Sequence, residues 1–264
     1  MTDRTGDFYK QMVDRNIGVV SAEEQERLRC SCVAVAGCGG IGGLSAEQLV
    51  RMGVGHVKIA DHDKFAVHNL SRQSGSTTAN VGKNKAEVLG KHFKEINPEM
   101  RLDIFREGVR HDNMGRFLDR AEAVIDGTDF STVDETIHMY RAAREKKICV
   151  VNPNAIGFGA NVFVFGPDTV SLEEYVGLSS GVEARTALLK LVPYIPDYIS
   201  PETIRKAASG EIPIPNIAMP QYLATSIAVS EVVMMLIGRI KPPAGPEPRV
   251  FILDLLNRKF SVTG

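Results

Sequence analysis

Short apolar runs separated by amphipathic stretches set the plan of this chain. VAVA (33–36) and HVKIAD (56–61) have the length and β-branched content of buried strands, and positions 43–52 between them carry helical periodicity that stops at Gly53. Strand, glycine-rich turn, helix and strand in that order make a βαβ unit, whose crossover forces the strands parallel. Residues 83–96 repeat the helical period, with Ala86, Leu89, Phe93 and Ile96 on one face and Asn97-Pro98 as a stop. Runs at 102–105, 123–126 and 148–151 predict further strands, separated by helices near 112–119 and 131–145. Alternation this regular predicts an α/β, doubly wound, largely parallel sheet.

The flanks read differently. Residues 8–29 are charged and helical in pattern, with Ser21 and Glu24 at capping-box spacing, which predicts an N-terminal helical arm. From Asn152 onward, NPNAIGFGANVFVF predicts a glycine-bent pair of strands, residues 170–212 are irregular and rich in proline, and RVFILDLLNRKFSV predicts a closing hairpin after the linker-like KPPAGPEP (241–248). These give the sheet an antiparallel C-terminal extension. The apolar stretch 217–237 is interrupted by Pro220, Gln221, Thr225, Ser226, Ser230 and Glu231, so it reads as a buried or interface helix rather than a membrane span.

Charge narrows the partners. With 31 Lys+Arg against 32 Asp+Glu, a pI near 6.6 and no run of one sign, no nucleic-acid or membrane partner is expected. Of four cysteines, Cys30, Cys32 and Cys38 crowd the first strand and Cys149 stands apart, which is neither a disulfide framework nor a paired zinc site. The N-terminal MTDRTGDFYKQ is polar, so no signal peptide is expected and a reducing cytoplasm fits.

The candidate chemistry begins at Gly37-Cys38-Gly39-Gly40-Ile41-Gly42. Gly37 permits a tight exit from the strand, Gly39 and Gly40 let a phosphate approach the backbone, and Gly42 allows close helix packing; the helix N-terminus then offers free N–H groups and partial positive charge. Asp61 ends the second strand, where a carboxylate suits ribose hydroxyls. This predicts a Rossmann-like site for an adenine nucleotide without separating NAD from ATP. DHDKFAVHNLSRQ (61–73) and VGKNKAE (81–87) make that separation. A dehydrogenase has no need of Asn69, Arg72, Gln73 and Lys85 there, whereas nucleotidyl transfer needs donors that follow charge on a triphosphate. Arg72 offers a planar fork, Lys85 a point charge, and Asn69 and Gln73 neutral donors. Asp129, after the strand AVID, suits Mg²⁺, with an N-cap for the helix near Ser131 as its structural alternative. Asp63 reads as a supporting residue behind the ligands or a turn former rather than a ligand, and His62 and His68 as bystanders.

At these residues the chain resembles the ThiF/MoeB/HesA family, bacterial relatives of ubiquitin-activating enzymes. The family signature is a G-x-G-G-x-G turn, D-x-D, N-x-x-R-Q, a helix lysine and a T-D pair. It is matched by Gly37 to Gly42, Asp61 and Asp63, Asn69 to Gln73, Lys85, and Thr128-Asp129, with the similarity strong over about 10–165. The resemblance implies adenylylation with ATP and Mg²⁺: a substrate carboxylate attacks the α-phosphorus, pyrophosphate leaves and an acyl-adenylate remains. It also implies a homodimer in which Arg15, in VDRNIGVV, reaches the partner subunit's triphosphate. Under it the chain is expected to be a single domain over 1–264, with a helical arm (1–29), a nucleotide-binding half (30–151) and a substrate and dimer half (152–264).

The chain departs from many relatives by having no cysteine in residues 150–264, so neither a structural zinc nor a crossover-loop thioester can be placed. Cys38 is the one thiol to weigh, because a helix N-terminus lowers a thiol pKa. The carboxylate belongs to a carrier-protein tail or to a small or peptide acid, with a tRNA-borne acid a third choice. Residues 170–212, with Arg185, Lys190, Tyr194, Tyr198, Arg205 and Lys206, would cover that substrate or serve as a lid or dimer segment. The competing readings are an adenylation-dead scaffold subunit and an NAD-dependent oxidoreductase.

Overall fold

In the computed structural model, which describes residues 5–129, 132–178 and 187–264, alternate residues of the first strand face opposite layers. Val33 and Val35 join one core cluster and Ala34 and Ala36 the other, as the two-residue period of a strand requires. The strands are β1 (Cys32–Ala36), β2 (His56–Ala60), β3 (Arg101–Phe105), β4 (Ala123–Asp126), β5 (Cys149–Ile156), β6 (Gly159–Phe165), β7 (Arg249–Asp254) and β8 (Lys259–Thr263), arranged as β3-β2-β1-β4-β5-β6-β7-β8. The first five are parallel, in registers such as Val33↔Val57, Val33↔Ala123 and Ala123↔Cys149, and the last three add antiparallel. Chain order reverses between β1 and β4, which opens a crevice beyond their carboxyl ends.

The helices are α1 (Thr5–Met12), α2 (Ala22–Cys30), α3 (Gly40–Arg51), α4 (Lys85–Ile96), α5 (Met114–Phe117), α6 (Val133–Glu145), α7 (Leu172–Val176), α8 (Pro201–Ala208) and α9 (Ala218–Leu236). Leu49, Leu89, Phe93, Val229 and Val232 of α3, α4 and α9 fill one layer, and Phe117, Met139 and Leu172 of α5, α6 and α7 fill the other. By length and composition α9 would cross a membrane, yet half of it is buried and it packs on α3, β5 and β6.

Three expectations change in detail. The helical arm expected over 8–29 divides into two helices, interrupted around Gly18 at φ +108° and restarted at Ser21, whose capping box with Glu24 forms as its spacing predicts. The helix read over 112–119 is a single turn. The helix read from 43 begins at Gly40, since its first turn folds back so closely that a Cβ at Gly42 would lie 1.9 Å from Gly37 O. Beyond its last pairing with β4, Ile125↔Val151, β5 runs on to Ile156 against β6 alone, making the expected glycine-bent pair.

Candidate active site

The floor of the crevice is backbone on backbone. Gly37 leaves β1 at φ +82°, its N–H donates to Ala60 O at 2.8 Å, and a Cβ there would meet Gly127 O at 2.4 Å. Gly127 N–H in turn donates to Ala36 O at 2.8 Å, so the turns after β1 and β4 touch with no room for side chains. Gly39 caps α3 without a side-chain bond, leaving the first N–H groups of a 12-residue helix facing the crevice.

Asp61 ties the β2 turn to this floor. One carboxylate oxygen accepts the Cys38 N–H at 2.6 Å and the other the Asp63 N–H at 2.7 Å, so the ribose hydroxyls expected at Asp61 must share oxygens already bonded to backbone. Asp63, read from the sequence as a supporting residue or a turn former, is the partner of Lys85. Lys85 Nζ donates to Asp63 Oδ2 at 3.0 Å, with the lysine side chain 8% exposed and the carboxylate 52%. Asn84 caps α4 through the Glu87 N–H while its Nδ2 donates to Asp61 O at 3.0 Å, which fixes Lys85 at the head of the helix.

Asn69 organises the loop between these groups. Its Oδ1 accepts the Ala66 N–H and its backbone oxygen accepts the N–H groups of Arg72 and Gln73, leaving its amide NH₂ without a partner among the described residues. Arg72 is half-buried and donates to His68 O at 3.1 Å. Gln73 lies beside Gly39, with Nε2 3.6 Å from where a Cβ would stand and a buried Oε1 without a partner.

On the β4 side, Asp126 rather than Asp129 ends the strand. It accepts from Thr128 N–H and Oγ1, from Tyr140 OH at 3.0 Å and from Asn152 Nδ2 at 3.1 Å. Burial pushes its carboxyl above the usual range although all four donors favour the charged form. This network pins the turn that carries Asp129, which stands exposed at the rim. The helix expected near Ser131 begins at Val133 with Thr132 as N-cap, and Ser131 lies outside the described residues.

One expected residue falls elsewhere. Arg15 sits exposed on the arm, and its neighbour Asn16 donates to Gln25, which donates to Met52 O at the far end of α3, about 18 Å along the helix from the glycine turn. It therefore does not reach the site of its own chain. Cys38, the thiol to weigh at the helix N-terminus, is fully buried, and desolvation, followed by the Asp61 charge, raises its pKa well above the ordinary value. Burial likewise pushes Cys32 and Cys149 up to about 11. In the 170–212 region, Tyr194 and Tyr198 donate to buried Asp254, Arg205 pairs with Glu211 and Lys206 with Glu202, while Arg185 lies outside the described residues.

The pairing of Asp63 with Lys85, the Asp126–Tyr140–Asn152 network and Gln221, whose side chain lies over Gly40 from α9, had no direct sign in the sequence. The one available signal was the aspartate ending AVID, a charge at the tip of an apolar strand.

An open α/β sheet with a glycine cradle, a buried lysine at a helix head and a carboxylate at the rim defines a nucleotide-handling class. Within it, the chain matches the ThiF family over residues 13–263 and belongs to that family. It is 30% identical over 152 residues to the tRNA threonylcarbamoyladenosine dehydratase of Haemophilus influenzae, covering 57% of this chain and 58% of that protein. It is 34% identical over 122 residues to the sulfur carrier protein adenylyltransferase of Thermus thermophilus, covering 46% and 44%. The matches span about half the length of these curated relatives. Among solved structures, selenomethionine PaaA superposes with TM-score 0.71 at 20% identity, covering all of this chain and 84% of that one. The E. coli tRNA N6-threonylcarbamoyladenosine dehydratase in complex with ATP superposes with TM-score 0.66 at 21% identity, covering 89% and 97%. At such identities these two establish the shared fold.

Proposed function

We propose that the protein binds ATP with Mg²⁺ in the β1/β4 crevice and adenylylates a substrate carboxylate, releasing pyrophosphate. The observation that carries this reading is the buried Lys85 ammonium at the head of α4, paired with the exposed Asp63 carboxylate and tied through Asp61 to the glycine turn. A cradle that only holds a dinucleotide needs no buried ammonium there, whereas charge growing on an α-phosphate does. The names of relatives such as the sulfur carrier protein adenylyltransferase support the same chemistry.

In this reading Lys85 and Arg72 take the phosphate charge, Asn69 and Gln73 donate to phosphate or carboxylate, and Asp61 holds the ribose. The donor set fits a hard cation: Asp129 is an exposed carboxylate at the rim and would hold Mg²⁺, which screens the triphosphate. Arg15, out of reach of its own site, would act on a partner subunit's nucleotide in a homodimer. The carboxylate belongs to a carrier-protein tail or to a small or peptide acid. No step is assigned to a thiol: Cys38, the one cysteine at the site, is buried and held protonated. Calorimetry tests the nucleotide assignment: Mg-ATP should bind, NAD should not, and Asp61→Ala should weaken ATP. Binding of NAD without ATP would contradict it.

A further inference from the structure

α9 carries three buried polar side chains, Gln221, Thr225 and Glu231. Thr225 accepts from Gln48 at 3.0 Å and Glu231 accepts from Arg249 at 2.7 Å. Gln221, 2% exposed, makes no side-chain hydrogen bond to any described residue. Its amide is not among the fully enclosed unpartnered polar atoms, so it keeps an opening through which a partner from outside the chain can reach it, whereas Oε1 of Gln73 is both enclosed and unpartnered.

The location identifies that partner. Gln221 lies on the first residue of α3: a Cβ at Gly40 would fall 2.5 Å from its Oε1 and 2.9 Å from Cδ. With Oε1 turned onto Gly40, Nε2 is left to donate. On the other flank, Gln73 presents Nε2 beside Gly39. Neither α3 nor α9 has a side chain capping its N-terminus, so the positive ends of both helices are uncapped where Gln221 meets Gly40. Free helix N–H groups, two amide donors and the nearby Lys85 together describe a seat for an anion with several acceptor oxygens.

Building on the ATP reading above, we propose that Gln221 is a ligand of the nucleotide's polyphosphate, donating through Nε2. α9 then forms a wall of the phosphate site that the glycine turn alone leaves open. A leucine at 221 would pack as well against the apolar layer but could not donate.

The test compares wild type, Gln221→Leu and the near-isosteric Gln221→Glu by calorimetry, with the non-hydrolysable ATP analogue AMPCPP and with adenosine, after thermal melts have checked folding. The proposal expects AMPCPP affinity to fall about tenfold or more in Gln221→Leu, and further in Gln221→Glu, where a carboxylate faces phosphate, with adenosine affinity unchanged in both. Unchanged AMPCPP binding in both variants, equal loss for both ligands, or loss of cooperative melting in both variants would overturn it in favour of a packing role. Wild-type protein that fails to bind AMPCPP would instead refute the ATP reading itself, and the Gln221 role with it.

Discussion

Among the described residues Lys85 has one charged partner, Asp63, in a nearly closed environment. At 8% exposure its ammonium is largely desolvated, and Asp63 at 3.0 Å supplies the compensating charge from a half-open position. Removing one member of such a pair strands the other, but the exposure of Asp63 moderates the loss. Asp63→Asn should therefore lower stability by about 1–2 kcal/mol in urea denaturation and slow ATP–pyrophosphate exchange about tenfold, as Lys85 loses its fixed position. Asp63→Glu should recover part of both. Wild-type stability and rate in Asp63→Asn would mean that the pair is incidental. Lys85 itself was readable in the sequence, as a lysine at fixed distance from the glycine turn. Asp63 was not, because its partner lies 22 residues on and its alternation with Asp61 mimics an ordinary strand end. Gln221 was hidden for another reason: within an apolar helix an amide looks like an interruption, and only the packing of α9 on Gly40 gives it a direction.

At the scale of elements, the arm is clasped to the end of α9. Arg239 grips Glu24 with two bonds of 2.7 and 2.8 Å and reaches Val19 O, while Arg27 caps Ile237 O. The hydrogen bond from Arg239, ahead of the backbone bond from Ser21, pulls the Glu24 carboxyl down to about 2 from 4.5. A carboxyl whose pKa is lower folded than unfolded stabilises above the unfolded value and loses that contribution as protons bind. The clasp should hold fully above pH 4.5 and loosen as pH falls toward 2, read as faster hydrogen exchange of α2. Arg239→Ala should abolish that dependence, and a pH-independent α2 in the wild type would contradict it. The arm also marks where sequence patterning ran out. Charged residues continue through 8–29, so periodicity alone does not break the helix; the restart at Ser21 was legible in its spacing with Glu24, while the break before it is a matter of backbone conformation around Gly18. Strands such as VAVA and AVID were readable because burial on both faces demands an uninterrupted apolar run.

Across the whole molecule, the carboxyl ends of the parallel strands carry the Asp61, Lys85 and Asp126 groups of the site, while two of the buried cysteines lie at the opposite edge. Cys32 and Cys149 open β1 and β5 at that opposite edge, buried and held protonated. Arg15 belongs to neither edge, and Ile17 and Val19 beside it are exposed, which supports an arm that docks on a second copy. Mixing inactive Arg15→Ala chains with inactive Lys85→Ala chains should then restore part of the activity, since some mixed dimers hold one intact composite site. A monodisperse monomer in light scattering that remains active would remove the role for Arg15. The central claim concerns the reaction itself, and acid-dependent ATP–pyrophosphate exchange reads it directly, because labelled pyrophosphate returns to ATP when it attacks the acyl-adenylate and expels the carboxylate. Run with Mg²⁺ over a panel of carrier-protein tails, peptide acids and small acids, the wild type should exchange with at least one of them. Lys85→Ala should lose about a hundredfold or more of that rate, on the order of 3 kcal/mol of transition-state stabilisation, while remaining folded. Acid-dependent exchange that persists at the wild-type rate in folded Lys85→Ala protein would contradict the account.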